Sequence, residues 1–293
     1  MRSTALIGKG YWGSKLKKYI PLYFNLKYVA DSKFDLNIIW NDSEVDNVII
    51  AVPIEYHFSV AMDALNHGKH VFIEKPITMT AEEANVLSDT AVKNNLIVAV
   101  EYTHQCSRSL IDIRRLINPD TVTFMELSSK HLGRFMEHDV YNLLASHCLS
   151  ILAMWFDVSK LKYNFVDYVY NGDICTTGSI ECYRDNKIIA RIDTSINYYD
   201  KELYVNLYGD NYFAHFSPIE HPASTYIKYD KLYKALPLAL INTKRCTDID
   251  ETNNLEYAVK YWHDVLTGDA QSNLKVAIDI TTILELRNGY NNC

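Results

Sequence analysis

Gly8-Lys9-Gly10-Tyr11-Trp12-Gly13 is the stretch that decides the fold. It fits the pattern G-x-G-x-x-G, follows the apolar run Ser3–Ile7 directly, and opens a helical pattern over residues 14–19. Each glycine has a separate reason to be there. The first makes a tight turn, the second lets the backbone approach a pyrophosphate, and the third lets the helix pack closely on the strand. The helix start then offers N–H groups and the positive end of its dipole to phosphates. Asp31 closes the next apolar run, residues 26–30. A carboxylate there accepts hydrogen bonds from a ribose 2′-hydroxyl and repels a 2′-phosphate, which favours NAD over NADP. Lys33 softens that preference and keeps NADP open. Two other readings compete. A glycine turn can serve close packing alone. The Gly8-to-Gly13 spacing also suits a P-loop, but Ser14-Lys15 reverses the Lys-Ser/Thr order that such a loop needs.

Outward from this loop, strand and helix alternate. Residues 48–52 are a short continuous apolar run, as expected of a strand covered on both faces, and 69–73 and 96–100 read as further strands. Residues 57–67 read as a helix ending at Gly68, and residues 80–94 as one opened by a capping signal, Thr80 followed by Glu83. This predicts an α/β fold whose N-terminal part is a Rossmann-type, doubly wound parallel sheet. After residue 120 the pattern changes. Residues 121–130 read as a strand and 139–156 as one long, largely buried helix. Runs at 163–170, 179–183, 188–196 and 203–208 then alternate in period two between turn residues. The second part is therefore expected to be an α+β domain with an open, mostly antiparallel sheet. Residues 217–250, with Pro218, Pro222 and Pro237, read as irregular, and helices are expected over 251–266 and 273–288. The expected domains are 1–110 for dinucleotide binding and 111–293 for substrate binding and oligomerisation, with the closing helices able to pack back on the first.

The length of 293 residues fits two domains at about 150 residues each. Apolar residues make up 48% and charged ones 22%, which is ordinary globular composition and argues against long-range disorder. A net charge of −7 without a basic block argues against nucleic-acid and anionic-membrane partners. No apolar run approaches the ~20 residues of a membrane span, and the N-terminus reaches Gly8 too soon for a signal peptide. The six cysteines form no C-x-x-C pair and are expected as free thiols in a reducing cytoplasm. No histidine–carboxylate set has metal-ligand spacing, so no metal is expected. The 22 tyrosines read as compositional bias.

Lys75 stands in Glu74-Lys75-Pro76, just after the run 69–73. A lysine at the carboxyl end of a parallel strand lies beside the crevice where a nicotinamide would rest. A partly desolvated lysine loses pKa and can move protons. Read locally, a surface Glu–Lys pair before a turn fits equally well. The wider stretch adds more: Pro53-Ile54-Glu55-Tyr56-His57, Ala61, Ala64-Leu65, Gly68-Lys69-His70-Val71 and Glu74-Lys75-Pro76. Together these resemble the glucose–fructose oxidoreductase / inositol dehydrogenase / MocA (Gfo/Idh/MocA) family of NAD(P)-dependent oxidoreductases. The resemblance is strong over residues 3–103 and weaker afterwards. It implies a cofactor site built from Gly8, Lys9, Gly10, Tyr11, Trp12, Gly13, Asp31, Ala51, Val52, Pro53, His57, Glu74 and Lys75, with Lys75 also catalytic.

The resemblance extends to Leu143-Leu144-Ala145-Ser146-His147-Cys148-Leu149-Ser150-Ile151-Leu152, which is similar to the sugar-nucleotide branch of that family. His147 takes the position of a histidine that faces substrate, and this implies a catalytic role. Leu143 stands where the branch carries an aspartate, and Asp139 lies too far along to replace it simply. Without the family, His147 reads as a buried histidine satisfied by a backbone carbonyl. Tyr102 and His104 follow the last parallel strand, where the family places substrate contacts; a loop aromatic and a loop histidine fit them equally. Cys148 beside His147 points about 100° away on a helix, which argues against a thiol nucleophile. The expected function is an NAD-dependent oxidoreductase interconverting a hydroxyl and a ketone on a sugar or sugar nucleotide, acting as a homo-oligomer, dimer or tetramer. The alternatives are a cofactor-binding protein that has lost turnover, because Leu143 replaces the carboxylate, and a reductase of a non-sugar imine or enone.

Overall fold

In the computed structural model, residues 1–132, 138–220, 222–229, 241–247 and 254–290 are described. The chain divides into two compact units, Met1–Cys106 with Asn253–Cys293, and Ser107–Thr252. The first unit runs β1 (Ser3–Ile7), α1 (Tyr11–Leu16), β2 (Asn25–Ala30), α2 (Asn37–Trp40), β3 (Val45–Ile50), α3 (His57–Asn66), β4 (His70–Glu74), α4 (Ala81–Lys93) and β5 (Val98–Glu101). All five strands are parallel, in the order β2-β1-β3-β4-β5. Their continuous apolar runs are buried because helices cover them: Leu6, Ile49, Val71, Phe72 and Ala99 are at most 1% exposed. Thr80 caps α4 in a full capping box with Glu83. The strand order reverses between β1 and β3, and the loop after β1 is the glycine loop.

Helix α1 begins at Tyr11, earlier than the pattern over 14–19 indicates, because Gly13 sits inside it and packs against the Gly8 backbone. The closing helices, α7 (Asn254–Thr267) and α8 (Leu274–Tyr290), belong to this first unit. Trp262 of α7 is fully buried, stacks on Phe72 at 5.4 Å between centroids, and donates Nε1–H to Asn47 Oδ1 at 3.0 Å. Asn273 extends the edge of β5: its Oδ1 accepts from Val100 N–H and its Nδ2 donates to Val100 O. An amide side chain there does what a sixth strand would do for an exposed edge.

The second unit holds α5 (Arg108–Leu116), β6 (Val122–Leu132), α6 (Ser146–Leu152), β7 (Lys162–Asn171), β8 (Ile174–Arg184), β9 (Lys187–Ser195), β10 (Asn197–Gly209), β11 (Tyr212–Phe216), β12 (Ser224–Tyr229) and β13 (Ile241–Thr247). The eight strands lie in the order β13-β12-β11-β10-β6-β9-β8-β7, and every pairing is antiparallel except β6 with β9. Burial alternates along β10 and β11, with Leu203, Val205, Leu207, Ala214 and Phe216 on the covered face. Helix α5 packs on β11 and β12, and α6 on β6.

Two sequence expectations are corrected here. The stretch 217–250 is not irregular throughout: β12 and β13 extend the sheet within it. Pro218 and Pro222 fall before β12, where proline punctuates a strand without interrupting its ladder; Pro237 lies outside the described residues. The single long helix expected over 139–156 is instead a π-helical turn at Tyr141–Ala145 followed by the seven-residue α6. The expected start of the helix at 251 likewise falls outside the described residues. Among the described residues, no helix is long and apolar enough to cross a membrane, and no group of three or more His, Cys, Asp or Glu side chains could hold a metal ion.

Candidate functional site

A cavity of about 740 Å³ opens where the strand order reverses. Gly8, Lys9 and Gly10 line it after β1, Asp31 after β2, and Ala51, Val52 and Pro53 after β3. A topological switch point is where an open parallel sheet leaves a crevice at the carboxyl ends of its strands. The glycines can be tested one by one against a dinucleotide. Gly8 has φ +107°, and a Cβ on it would lie 2.2 Å from Ala51 O, so only glycine brings β1 and β3 together there. A Cβ on Gly13 would lie 2.0 Å from Gly8 O, which forces the close helix–strand contact. At Gly10 nothing lies within 4 Å of a Cβ, so bare backbone borders the cavity, as close approach of a pyrophosphate requires.

Asp31 is exposed at the far side of the cavity. Its Oδ1 accepts from Lys33 N–H at 3.0 Å, which fixes the carboxylate while leaving it acceptor capacity for a diol. Sequence reasoning missed the apolar walls: Phe34, Leu36, Tyr56 and Val60 also line the cavity. They lie on connecting segments and the first turns of helices, where periodicity carries no signal. Tyr11 and Trp12 sit outside the lining, edge to face at 5.0 Å, with Lys15 Nζ 4.2 Å from the Tyr11 ring centroid. His57 is also outside the lining. It is buried, with Nδ1 2.8 Å from Pro76 O and Nε2 3.0 Å from Val52 O, so it ties the loop after β3 to the loop after β4. Burial lowers its pKa, against the two carbonyls, to both of which only the protonated ring can donate at once.

Lys75 follows β4 and is half-buried, and the Lys75–Pro76 peptide is cis. Burial lowers its pKa to about 8, against the pull of the neighbouring Glu74 and Glu101 carboxyl groups, which raises it. An amine in that range exchanges protons near neutral pH. The parallel register sets Glu74 opposite Glu101 at the ends of β4 and β5, and both are buried. Burial raises the pKa of each, and of Glu74 furthest. Thr103 Oγ1 donates to Glu101 Oε1 at 2.7 Å. Glu101 and Thr103 were not singled out from sequence. The available signal was a charged residue ending an otherwise apolar strand. Tyr102 is buried at 1% exposure, and its hydroxyl has no hydrogen-bond partner among the described residues. His104 is half-buried in the 3-10 turn that follows.

In the second unit, His147 is half-buried on the first turn of α6, and Ser150 Oγ donates to its backbone carbonyl at 2.7 Å. Leu143 lies in the π-helical turn before it. The Asp139 carboxylate accepts from Tyr141 N–H at 2.9 Å and so closes the start of that turn. Cys148 is fully buried and its thiol pKa is pushed up to about 12, first by desolvation, so it is no nucleophile at neutral pH.

Residues 5–102 match the model of the oxidoreductase family with an NAD-binding Rossmann fold, Gfo/Idh/MocA. The match spans about a third of the chain and lies within its first unit. Among curated relatives, the chain is 32% identical over 89 residues to scyllo-inositol 2-dehydrogenase (NADP(+)) IolW of Bacillus subtilis (strain 168). That match covers 30% of this chain and 25% of the relative, so the chain spans about a quarter of the length of the protein it matches. Solved structures extend the likeness in fold to nearly the whole chain. UDP-N-acetylglucosamine 3-dehydrogenase GnnA from Acidithiobacillus ferrooxidans superposes with a TM-score of 0.83 at 18% identity, over 97% of this chain and 96% of that one. GenD2 from gentamicin A biosynthesis, solved in complex with NAD, gives 0.80 at 14% identity over 99% and 95%.

Proposed function

We propose that this chain is an NAD-dependent oxidoreductase that interconverts a hydroxyl and a ketone on a sugar or sugar nucleotide. The observation that carries this is Lys75: a half-buried amine lowered to about 8, at the end of a strand in the same unit as the glycine-loop cavity. The glycine loop would hold the pyrophosphate and Asp31 the adenosine ribose, which favours NAD; NADP is the alternative, and the named relatives include users of each. When bound, the nicotinamide supplies the hydride acceptor. In the oxidative direction the substrate O–H bond breaks and Lys75, as the free amine, takes the proton. The carbon gives up its hydride and the C–O bond becomes a carbonyl. His147, whose imidazole can both accept and donate a proton, shares the handling of that proton. Tyr102 and His104 contribute to the substrate side. The working form is a homo-oligomer in the cytoplasm. Sugar chemistry is supported by the activities of the relatives, inositol and UDP-N-acetylglucosamine dehydrogenation.

The competing reading is a cofactor-binding protein without turnover. It is favoured by Leu143 in the position where the resembling branch carries a carboxylate, with the Asp139 carboxylate engaged on the Tyr141 amide. One assay separates the two. Reduced-nicotinamide absorbance is followed with NAD or NADP and a panel of free sugars and sugar nucleotides, with Lys75→Met beside the wild type. Turnover lost by about 10²–10⁴-fold in the variant, the range of general acid–base catalysis, supports the oxidoreductase. Tight cofactor binding with no turnover across the panel favours the binding protein. Failure to bind either dinucleotide removes both readings.

A further inference from the structure

The strand ends beside Lys75 carry more acid than a proton-handling lysine needs. Glu74 and Glu101 face each other across the parallel register, at 8% and 3% exposure, with their carboxyl groups close enough to share a hydrogen bond. Ionised carboxylates only accept, so a bond between two of them requires a proton on one. The surroundings decide which. Glu101 Oε1 already receives the Thr103 hydroxyl at 2.7 Å, so its charge is served by two donors if Glu74 supplies the other. Glu74 Oε1 is buried with no hydrogen-bond partner among the described residues, so a charge there would be left bare. Like charges this close in a dry site do not both ionise.

We propose that Glu74 and Glu101 share one proton held on Glu74, and that the single negative charge on Glu101 is the counter-charge that makes Lys75 basic. Glu101 is thus a positioning residue acting through Lys75, and Glu74 is the neutral donor that fixes it. The function of this arrangement rests on the reading of Lys75 as the proton-handling group; its chemistry does not. The other titratable groups around it in this unit fit. His57 is occupied on Pro76 O and Val52 O. Cys106, in the 3-10 turn, is held as a thiol first by burial, with the fields of Glu101 and of Asp264 on α7 acting the same way.

The test uses the full-length apoprotein, so it does not depend on finding a substrate. Infrared spectra at pH 7 are expected to show the C=O stretch of a protonated carboxylic acid, lost in Glu74→Gln. Lys75 is then titrated by ¹³C NMR after reductive methylation, its resonance assigned by its loss in Lys75→Met. Glu74→Gln is expected to leave that titration in place, because Glu74 carries no charge. Glu74→Gln/Glu101→Gln is expected to lower it by about one unit, a tenfold change in the amine-to-ammonium ratio. The absence of an acid band in the wild type overturns the shared proton. An equal shift in the single and double variants, both folded by circular dichroism, overturns the assignment of the charge to Glu101. Turnover by an enzyme that fails this test, or its absence in a protein that passes, separates this inference from the proposed function.

Discussion

The two sheets treat the same residue types in opposite ways. In the parallel sheet, polar groups collect at the carboxyl ends of strands, where Glu74 and Glu101 are buried and Lys75 is half-buried. In the antiparallel sheet they spread over one face and satisfy one another. Glu126 accepts from Asn206 Nδ2 at 3.0 Å and from the Tyr204 hydroxyl at 3.4 Å, Asn206 Oδ1 pairs with His215 Nδ1, and His215 Nε2 reaches Glu220. Cross-strand pairs of this kind stabilise a sheet by roughly 0.2–1 kcal/mol each. The strand ends hold groups whose partners are missing or shared, such as Glu74 Oε1. The difference teaches that residue type is a poor guide to chemistry, and that the degree to which a polar group is satisfied is a better one.

The largest effect is expected at the glycine loop. Gly8→Ala places a Cβ 2.2 Å from Ala51 O, at φ +107°, so β1 and β3 must part where the cavity begins. Dinucleotide affinity, read by fluorescence titration, is expected to fall by more than about 100-fold, or roughly 2.7 kcal/mol. Gly68→Ala is the control. Its φ is also positive, at +73°, but nothing lies within 4 Å of the new Cβ. It is expected to cost about 1–2 kcal/mol of stability with affinity unchanged. Equal loss of affinity in both would mean that strand-end geometry is not what makes the loop a site.

That contrast also explains what the sequence could and could not disclose. The loop is legible because its constraints are local: each glycine answers to a neighbour at a fixed offset along the chain. The parallel strands are legible because continuous apolar runs bounded by glycine have few other uses. Glu101 is not, because its meaning depends on the register that brings it opposite Glu74, and no local pattern encodes register between strands separated by a helix. Strand β12 was read as irregular because prolines before a strand look, in one dimension, like prolines within it. The π-helical turn at Tyr141–Ala145 was read as ordinary helix because aliphatic residues at most positions leave the helical period undetermined. His147 was picked out by resemblance alone, and its helix gives it no chemical signature of its own.

A second effect should separate strand-end acid from surface acid through pH. In the unfolded chain Glu74 ionises near its ordinary value of 4.5, whereas burial raises its pKa well above that in the fold. Above about pH 5.5 the native state therefore holds a proton that the unfolded state has released. Stability then falls as pH rises, by up to about 1.4 kcal/mol per pH unit for one proton. His57, lowered by burial, contributes the opposite slope up to its ordinary value of 6.5, but equally in wild type and variant. Urea unfolding of Glu74→Gln should therefore gain on wild type by about 2 kcal/mol between pH 5.5 and 7. Parallel curves would show that Glu74 is ionised in the native state and would place it with the satisfied acids of the other sheet.

The smallest effect is expected on the sheet face. Glu126 is half-buried and its hydrogen bonds come from flexible hydroxyl and amide groups that can turn to meet a new partner. In Glu126→Gln the remaining amide oxygen still accepts from Asn206, while the new NH₂ can donate to a tyrosine oxygen. The expected cost is under about 1 kcal/mol, since a net hydrogen bond at such a site is worth little, and it should not vary between pH 5.5 and 7 beyond the wild-type curve. Dinucleotide affinity should also be unchanged. A loss of turnover at unchanged stability would break the comparison, because it would make the polar face of the antiparallel sheet a site of chemistry rather than a ladder of mutually satisfied pairs.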